Sequence, residues 1–197
     1  VILSLVRHGE PVRAASGDAG IDPPLSAAGA DHARGVGKLI TADGYSAVYS
    51  SPLRRARETA QIAAGPDVPV GEREGLSEFD RGSAYLHYED GAEIWKRYLA
   101  GDLTPWGTTL DDFRTRVLDT IESLRADHDG ENVVAVCHGG VINVFTAWIL
   151  GVSSVRIFAP EYGSVHRFWH RPGEGWSIRE LNVRPWSPSQ AAVEAQA

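Results

Sequence analysis

Hydrophobic and polar positions along the chain fall into two regimes. Short continuous apolar runs occur at residues 1–6 (Val-Ile-Leu-Ser-Leu-Val) and from Asn132 to Val136, the pattern of strands buried on both faces of a parallel sheet. Longer stretches have helical period. A helix is predicted over residues 27–42, capped by Ser26 and stopping near Gly44. Residues 46–50 predict a second strand. Ser51 is then placed to cap a helix with Pro52 at its first position, carrying Leu53, Ala56, Ala60 and Ala63-Ala64 to an end at Gly65-Pro66. Val68 to Val70 predicts a third strand. Residues 79–107 show no clear period, although Ala92 to Ala100 has helical character. Thr108 or Thr109 starts a long helix with Phe113, Val117, Ile121 and Leu124 on one face. Gly139 to Leu150 predicts a helix ending at Gly151. Residues 164–170 and 176–183 alternate across the turn at 171–175 and predict a β-hairpin.

Strands alternating with helices predict an α/β fold: a single three-layer α/β/α domain, mostly parallel, with an antiparallel edge. The domain is expected over residues 1–184, with 185–197 a loosely held tail. In such sheets ligands bind at the carboxyl ends of the strands, so those ends are where chemistry is sought.

Composition adds exclusions. The 197 residues are enough for a substantial core, and 43% hydrophobic with 23% charged is ordinary for a globular chain. A formal net charge of −7 disfavours general affinity for nucleic acid or anionic membranes. The single cysteine, Cys137, forbids an intramolecular disulfide and fits a reducing compartment. The apolar N-terminal run is short and meets Arg7 at once, unlike a signal peptide. A cytoplasmic protein is expected.

Two strand ends carry histidine: Leu5-Val6-Arg7-His8-Gly9-Glu10 and Val136-Cys137-His138-Gly139-Gly140. One such histidine would read as structural. Two, each followed by glycine, suggest a site where substrate comes close to the backbone. The helix after the second strand brings Arg54, Arg55 and Arg57 into its first turns. Arginine is unfavourable there for the helix itself, and a bound anion relieves the conflict. Arg54 and Arg57 also suit a solvated face. Cys137 and His138 should point to opposite sides of a strand, which removes a Cys–His pair and leaves the thiol in the core. Gly35-Val36-Gly37-Lys38 lies mid-helix and carries no phosphate-loop weight, and His166 and His170 lack metal spacing.

Arg7-His8-Gly9-Glu10, Pro24-Leu25-Ser26-Ala27-Ala28-Gly29, Ser50-Ser51-Pro52-Leu53-Arg54-Arg55-Ala56, Leu76-Ser77-Glu78 and Cys137-His138-Gly139-Gly140 occur in this order. Together they resemble the histidine phosphatase superfamily, in its phosphoglycerate mutase-like branch (branch 1), over residues 1 to about 150. The resemblance implies a phosphoglycerate mutase-like fold and a metal-independent phosphomonoester hydrolase, with no cofactor. It implies that His8 is the nucleophile that becomes phosphohistidine. Arg7, Arg55 and His138 would bind the phosphoryl group, with the bound phosphate favouring protonated His138. Glu78 would be the general acid and base, although Asp80, Glu72 and Glu74 stand nearby. Metal-free phosphoryl transfer needs an in-line nucleophile and fixed positive charge around the oxygens, which these residue types supply.

The chain departs from the family at Pro11 and near Ala14, where relatives carry Ser or Thr and a phosphate-binding Asn. Arg13 is a candidate replacement and Arg81 a further substrate contact. Arg81, Tyr85, His87, Tyr88, Trp95 and Trp106 offer a pocket wall suited to a sugar phosphate, a nucleotide or a phosphorylated side chain. A phosphotransferase of the mutase type shares the first half-reaction, but a short chain favours an open pocket and hydrolysis. A non-catalytic phosphoester-binding module has no use for His8. The expected partner is a small phosphorylated substrate, with a homodimer allowed and neither nucleic acid nor membrane expected.

Overall fold

A computed structural model describes residues 1–13, 18–85 and 92–185. The elements run β1 (Ile2–Arg7), α1 (Asp18–Ile21), α2 (Ala27–Asp43), β2 (Ala47–Ser50), α3 (Arg54–Ala64), β3 (Val70–Glu72), α4 (Ala92–Leu99), α5 (Leu110–Asp127), β4 (Asn132–Cys137), α6 (Gly139–Leu150), β5 (Val165–Arg171) and β6 (Gly175–Val183). Short 3₁₀ turns at Glu74–Leu76 and Thr104–Trp106 complete the path. One six-stranded sheet has the order β3-β2-β4-β1-β5-β6. The pairs among β3, β2, β4 and β1 are parallel, and β5 and β6 add the antiparallel edge.

The alternation of a strand's two faces sorts the core into layers. On β1, Leu3 and Leu5 join Phe113, Val117, Ile121 and Leu124 of α5 and Phe145 of α6. Val6 points the other way, among Val36 and Ile40 of α2 and Ala56 and Ala60 of α3. On β4, Cys137 lies fully buried on the α5/α6 side while Val134 and Val136 face α2 and α3. The three-layer expectation holds. No helix of the described residues is long and apolar enough to cross a membrane.

Caps behave largely as the sequence predicts. Ser26 Oγ accepts from the Gly29 amide at 3.0 Å, and Thr109 caps α5 through the Asp112 amide at 3.1 Å. Two starts differ. Ser51 does not cap α3: its amide donates to the Val136 carbonyl, extending the β2–β4 ladder, and the helix begins at Arg54 after Leu53. The cap comes from elsewhere in the chain, because Asp22 accepts from the Arg54 amide at 2.8 and 3.0 Å. The third strand is Val70–Glu72, not Val68–Val70. Its register is set by β2, with Tyr49 opposite Gly71, where a Cβ would stand 2.6 Å from the Tyr49 ring. Backbone pairing at an edge thus overrides the apolar signal of Val68. Of the expected tail at 185–197, only Pro185 falls within the described residues.

The loop after β1 is pressed against the start of α2. A Cβ on Gly9 would lie 2.4 Å from the Gly29 carbonyl oxygen, and one on Gly29 would lie 2.0 Å from that of Glu10. Gly9 is therefore required by this backbone contact. Gly29→Ala should force the loop at residues 8–10 aside, costing about 1–3 kcal/mol in overpacking. Urea unfolding, with activity measured in the same samples, checks this.

Candidate active site

β4 lies between β1 and β2, and that order assembles the site. Arg7 is opposite Cys137, Ser50 is opposite Val136, and the His8 amide donates to the Cys137 carbonyl at 3.0 Å. His8, His138 and Ser51 therefore leave three adjacent parallel strands at their carboxyl ends, and α3 starts beside them with Arg55. The side chains of Arg7, His8, Arg55, Glu78 and His138 are all buried. They line a narrow pocket of about 30 Å³ with Phe79, Asp80, Tyr85, Trp95 and Gly139. A larger cavity, about 240 Å³, opens at the far end of the strands beside Ile2, Asn132 and Arg167, away from these groups.

The hydrogen bonds of His8 fix its tautomer. Nδ1 is 2.8 Å from the Gly9 carbonyl oxygen, which can only accept, so Nδ1 carries the proton. Nε2 keeps its lone pair, towards which the Arg55 Nε–H points at 3.3 Å. The His8 and His138 rings are 5.0 Å apart. Arg7 donates to the Pro160 carbonyl and lies 4.0 Å from the Tyr162 ring centre. Arg55 is 1% exposed, with Asp22 at 3.6 Å and Asp80 at 3.5 Å from its terminal nitrogens. The Thr59 hydroxyl donates to the Arg55 carbonyl at 2.7 Å and accepts from the Gly9 amide at 2.9 Å, tying α3 to the histidine loop.

His138 Nε2 is 2.9 Å from Ser51 Oγ, and its Nδ1 has no hydrogen-bond partner among the described residues. Burial, then Arg55, His8 and Arg7, hold its pKa well below the usual histidine value. In the empty site His138 is therefore held in its neutral form. A bound anion would favour its protonation.

Glu78 is placed by a framework absent from the motif that suggested it. Arg116 on α5 donates to the carbonyls of Glu74, Gly75 and Ser77 at 3.2, 3.3 and 2.9 Å, pinning the turn before it. The Glu78 carboxylate accepts from the Gly140 amide at 2.8 Å and from the Phe79 amide at 3.2 Å. Gly140 has to be glycine, since its Cβ would stand 2.2 Å from Glu78 Oε1. Burial first, then the Asp80 carboxylate, push the Glu78 pKa up to about 7. The Asp80 pKa is raised too, by burial, against the pull of Arg55.

Of the other candidates, Arg13 and Arg81 are not among the residues that line this pocket. Arg13 is exposed on the loop after Pro11, and Arg81 is exposed and paired with Glu74. Tyr85 and Trp95 line the pocket, whereas Trp106 packs against Phe79 in the core, and His87, Tyr88 and Ala14 lie outside the described residues. His166 is buried with its pKa lowered to about 3, chiefly by burial. Ser51, Asp22, Thr59, Arg116 and Tyr162 were not singled out as site residues. Ser51 alone left a signal, its place in the Ser-Ser-Pro-Leu-Arg-Arg motif. Among the described residues, no group of three or more His, Cys, Asp or Glu could hold a metal ion.

The family model described as the histidine phosphatase superfamily (branch 1) matches residues 3–184. The chain belongs to that superfamily. The match runs well past residue 150, through the antiparallel edge. A metal-independent phosphoserine phosphatase of Arabidopsis thaliana is 31% identical over 76% of this chain and 69% of its own length. A 2,3-bisphosphoglycerate-dependent phosphoglycerate mutase of Gloeobacter violaceus is 30% identical over 72% of each. A solved phosphoserine phosphatase from Entamoeba histolytica, in complex with 3-phosphoglyceric acid, is 25% identical. It superposes with a TM-score of 0.72, covering 92% of this chain and 96% of that one. As a member of this superfamily the chain is an enzyme of the histidine phosphatase type.

The raised pKa of Glu78 links stability to pH. The folded state holds a proton there between the ordinary value of 4.5 and about 7, so stability falls as pH rises through that window. Glu78→Gln should remove this slope. Urea titrations at pH 4.5 and pH 8 measure it.

Proposed function

We propose that the chain hydrolyses small phosphomonoesters through a phosphohistidine formed on His8 Nε2. The observation that carries this reading is the fixed tautomer. With Nδ1–H committed to the Gly9 carbonyl, Nε2 is the nitrogen that keeps a lone pair. The Arg55 Nε–H holds it in the empty site, and it becomes the nucleophile when Arg55 turns to the phosphoryl oxygens. In the first step Nε2 attacks phosphorus while the ester P–O bond breaks, and Glu78 gives its proton to the leaving oxygen. Arg7 and Arg55 hold the phosphoryl oxygens, and His138 adds a charge-assisted bond once the dianion has favoured its protonated form. In the second step Glu78, now a carboxylate, takes a proton from water. That water attacks phosphorus, and the P–N bond electrons return to Nε2. A Glu78 pKa of about 7 suits both roles near neutral pH.

The named relatives act on phosphoserine and phosphoglycerate, and small phosphorylated metabolites of that kind are the substrate class we favour. The buried free thiol of Cys137 is consistent with a cytoplasmic setting. The mutase relative supports a second reading, in which the phosphoenzyme passes its group to an acceptor alcohol in place of water.

His8→Ala should abolish phosphate release from a panel of phosphomonoesters and leave no acid-labile phosphoenzyme after rapid quenching. Phosphoryl transfer to 3-phosphoglycerate without phosphate release by the parent enzyme would favour the mutase reading. Glu78→Gln should slow hydrolysis of alkyl phosphates by about 10²–10⁴-fold. With p-nitrophenyl phosphate only the first step should be spared, giving a burst of p-nitrophenolate followed by slow turnover, because that leaving group needs no proton while the attacking water still lacks its base. For the parent, kcat/KM should fall as pH rises above about 7, where Glu78 loses its proton. Glu78→Gln should lack that limb.

A further inference from the structure

The buried guanidiniums beside His8 each lie over a tyrosine ring, Arg7 over Tyr162 and Arg55 over Tyr85. The Tyr162 ring centre is 4.0 Å from the head of Arg7, and that of Tyr85 is 4.5 Å from the head of Arg55. Both rings also flank His8, at 5.5 and 6.4 Å between centres. Their hydroxyls are 3.0 Å apart and hydrogen-bonded to each other. The two tyrosines come from distant loops with independent anchors. The Tyr85 amide donates to the Gly20 carbonyl at 2.9 Å. Beside Tyr162, the Glu161 amide donates to Asn182 Oδ1 at 2.9 Å, and the Gly163 amide donates to the Arg7 and His8 carbonyls at 3.1 Å.

We propose that the Tyr85–Tyr162 pair is a positioning bridge that yokes Arg7 and Arg55 into one phosphate-binding unit. An arginine side chain has several rotatable bonds, and two of them must present their planar forks to the same phosphoryl group. Stacking restricts each head to one plane, with the cation–π attraction favouring that arrangement. The hydroxyl bond then couples the two planes, so that displacing one arginine disturbs the other. Burial drives the Tyr85 pKa upward, which keeps its hydroxyl a neutral partner in that bond. The tyrosines act through the arginines and take no proton in the reaction.

The bridge rests on the phosphatase reading above, and its test separates the two. Tyr85→Phe and Tyr162→Phe remove the same hydrogen bond while keeping both rings. Each should weaken competitive inhibition by inorganic phosphate, and lower kcat/KM for p-nitrophenyl phosphate, by roughly three- to tenfold. The double variant should be no worse than either single one, and the thermal midpoints should move little. Tyr85→Leu, which also removes the stacking on Arg55, should bind phosphate more weakly than Tyr85→Phe. Unchanged phosphate affinity in the single variants, losses that multiply in the double variant, or equal affinity of Tyr85→Leu and Tyr85→Phe would each overturn the bridge and leave the phosphatase reading standing. A parent protein that neither binds phosphate nor hydrolyses the ester would overturn both.

Discussion

The parallel ladder between β1 and β4 is the contact on which the rest of the site depends. Its register sets Arg7 opposite Cys137 and runs on through the bond from the His8 amide to the Cys137 carbonyl. A shift by one residue would reverse every side chain on the moving strand. It would expose Leu3 and Leu5 to the wrong layer and send His8 away from His138. The same hydrophobic alternation that fills both core layers therefore also aligns the two histidines. Packing and chemistry share one constraint.

Around that ladder the charge is arranged locally and against the average. The chain as a whole carries −7, yet Arg7 and Arg55 converge in a buried pocket. Buried cations need compensation. Arg55 has Asp22 and Asp80 near its terminal nitrogens, and Arg7 donates to the Pro160 carbonyl and lies over the Tyr162 ring. The empty pocket thus keeps two guanidiniums beside His8, where an anion would meet both. Neutral His138 belongs to the same economy, since a third cation beside two guanidiniums would be unfavourable until the anion arrives. Glu78 is the counterpart: burial and a second carboxylate make its proton easy to keep and possible to lose near pH 7.

Much of the fold was legible because its elements obey local rules. The buried strands announced themselves as apolar runs, α2 and α5 carried their own caps, and α6 ran from Gly139 to its glycine stop as predicted. The departures occur where a distant partner supplies what the local sequence lacks. The start of α3 is fixed by Asp22, from the loop before α2, and β3 takes its limits from β2. Likewise Ser51 is drawn into the β2–β4 ladder and turned towards His138.

For the site, the order of residues along the chain settles which side-chain types stand at the strand ends. His8, Arg7, Arg55 and His138 lie in short motifs whose local geometry is nearly fixed by a strand running into a loop or helix. It did not determine their electrostatic state or their supports. The tautomer of His8 depends on one carbonyl, the neutrality of His138 on burial beside two arginines, and the raised pKa of Glu78 on Asp80 and a depth of burial that no motif encodes. Arg116, Thr59 and the tyrosine pair reach the site from far along the chain. Only the tertiary structure could decide these, because desolvation and long-range contact are properties of the packed layers and not of any segment within them.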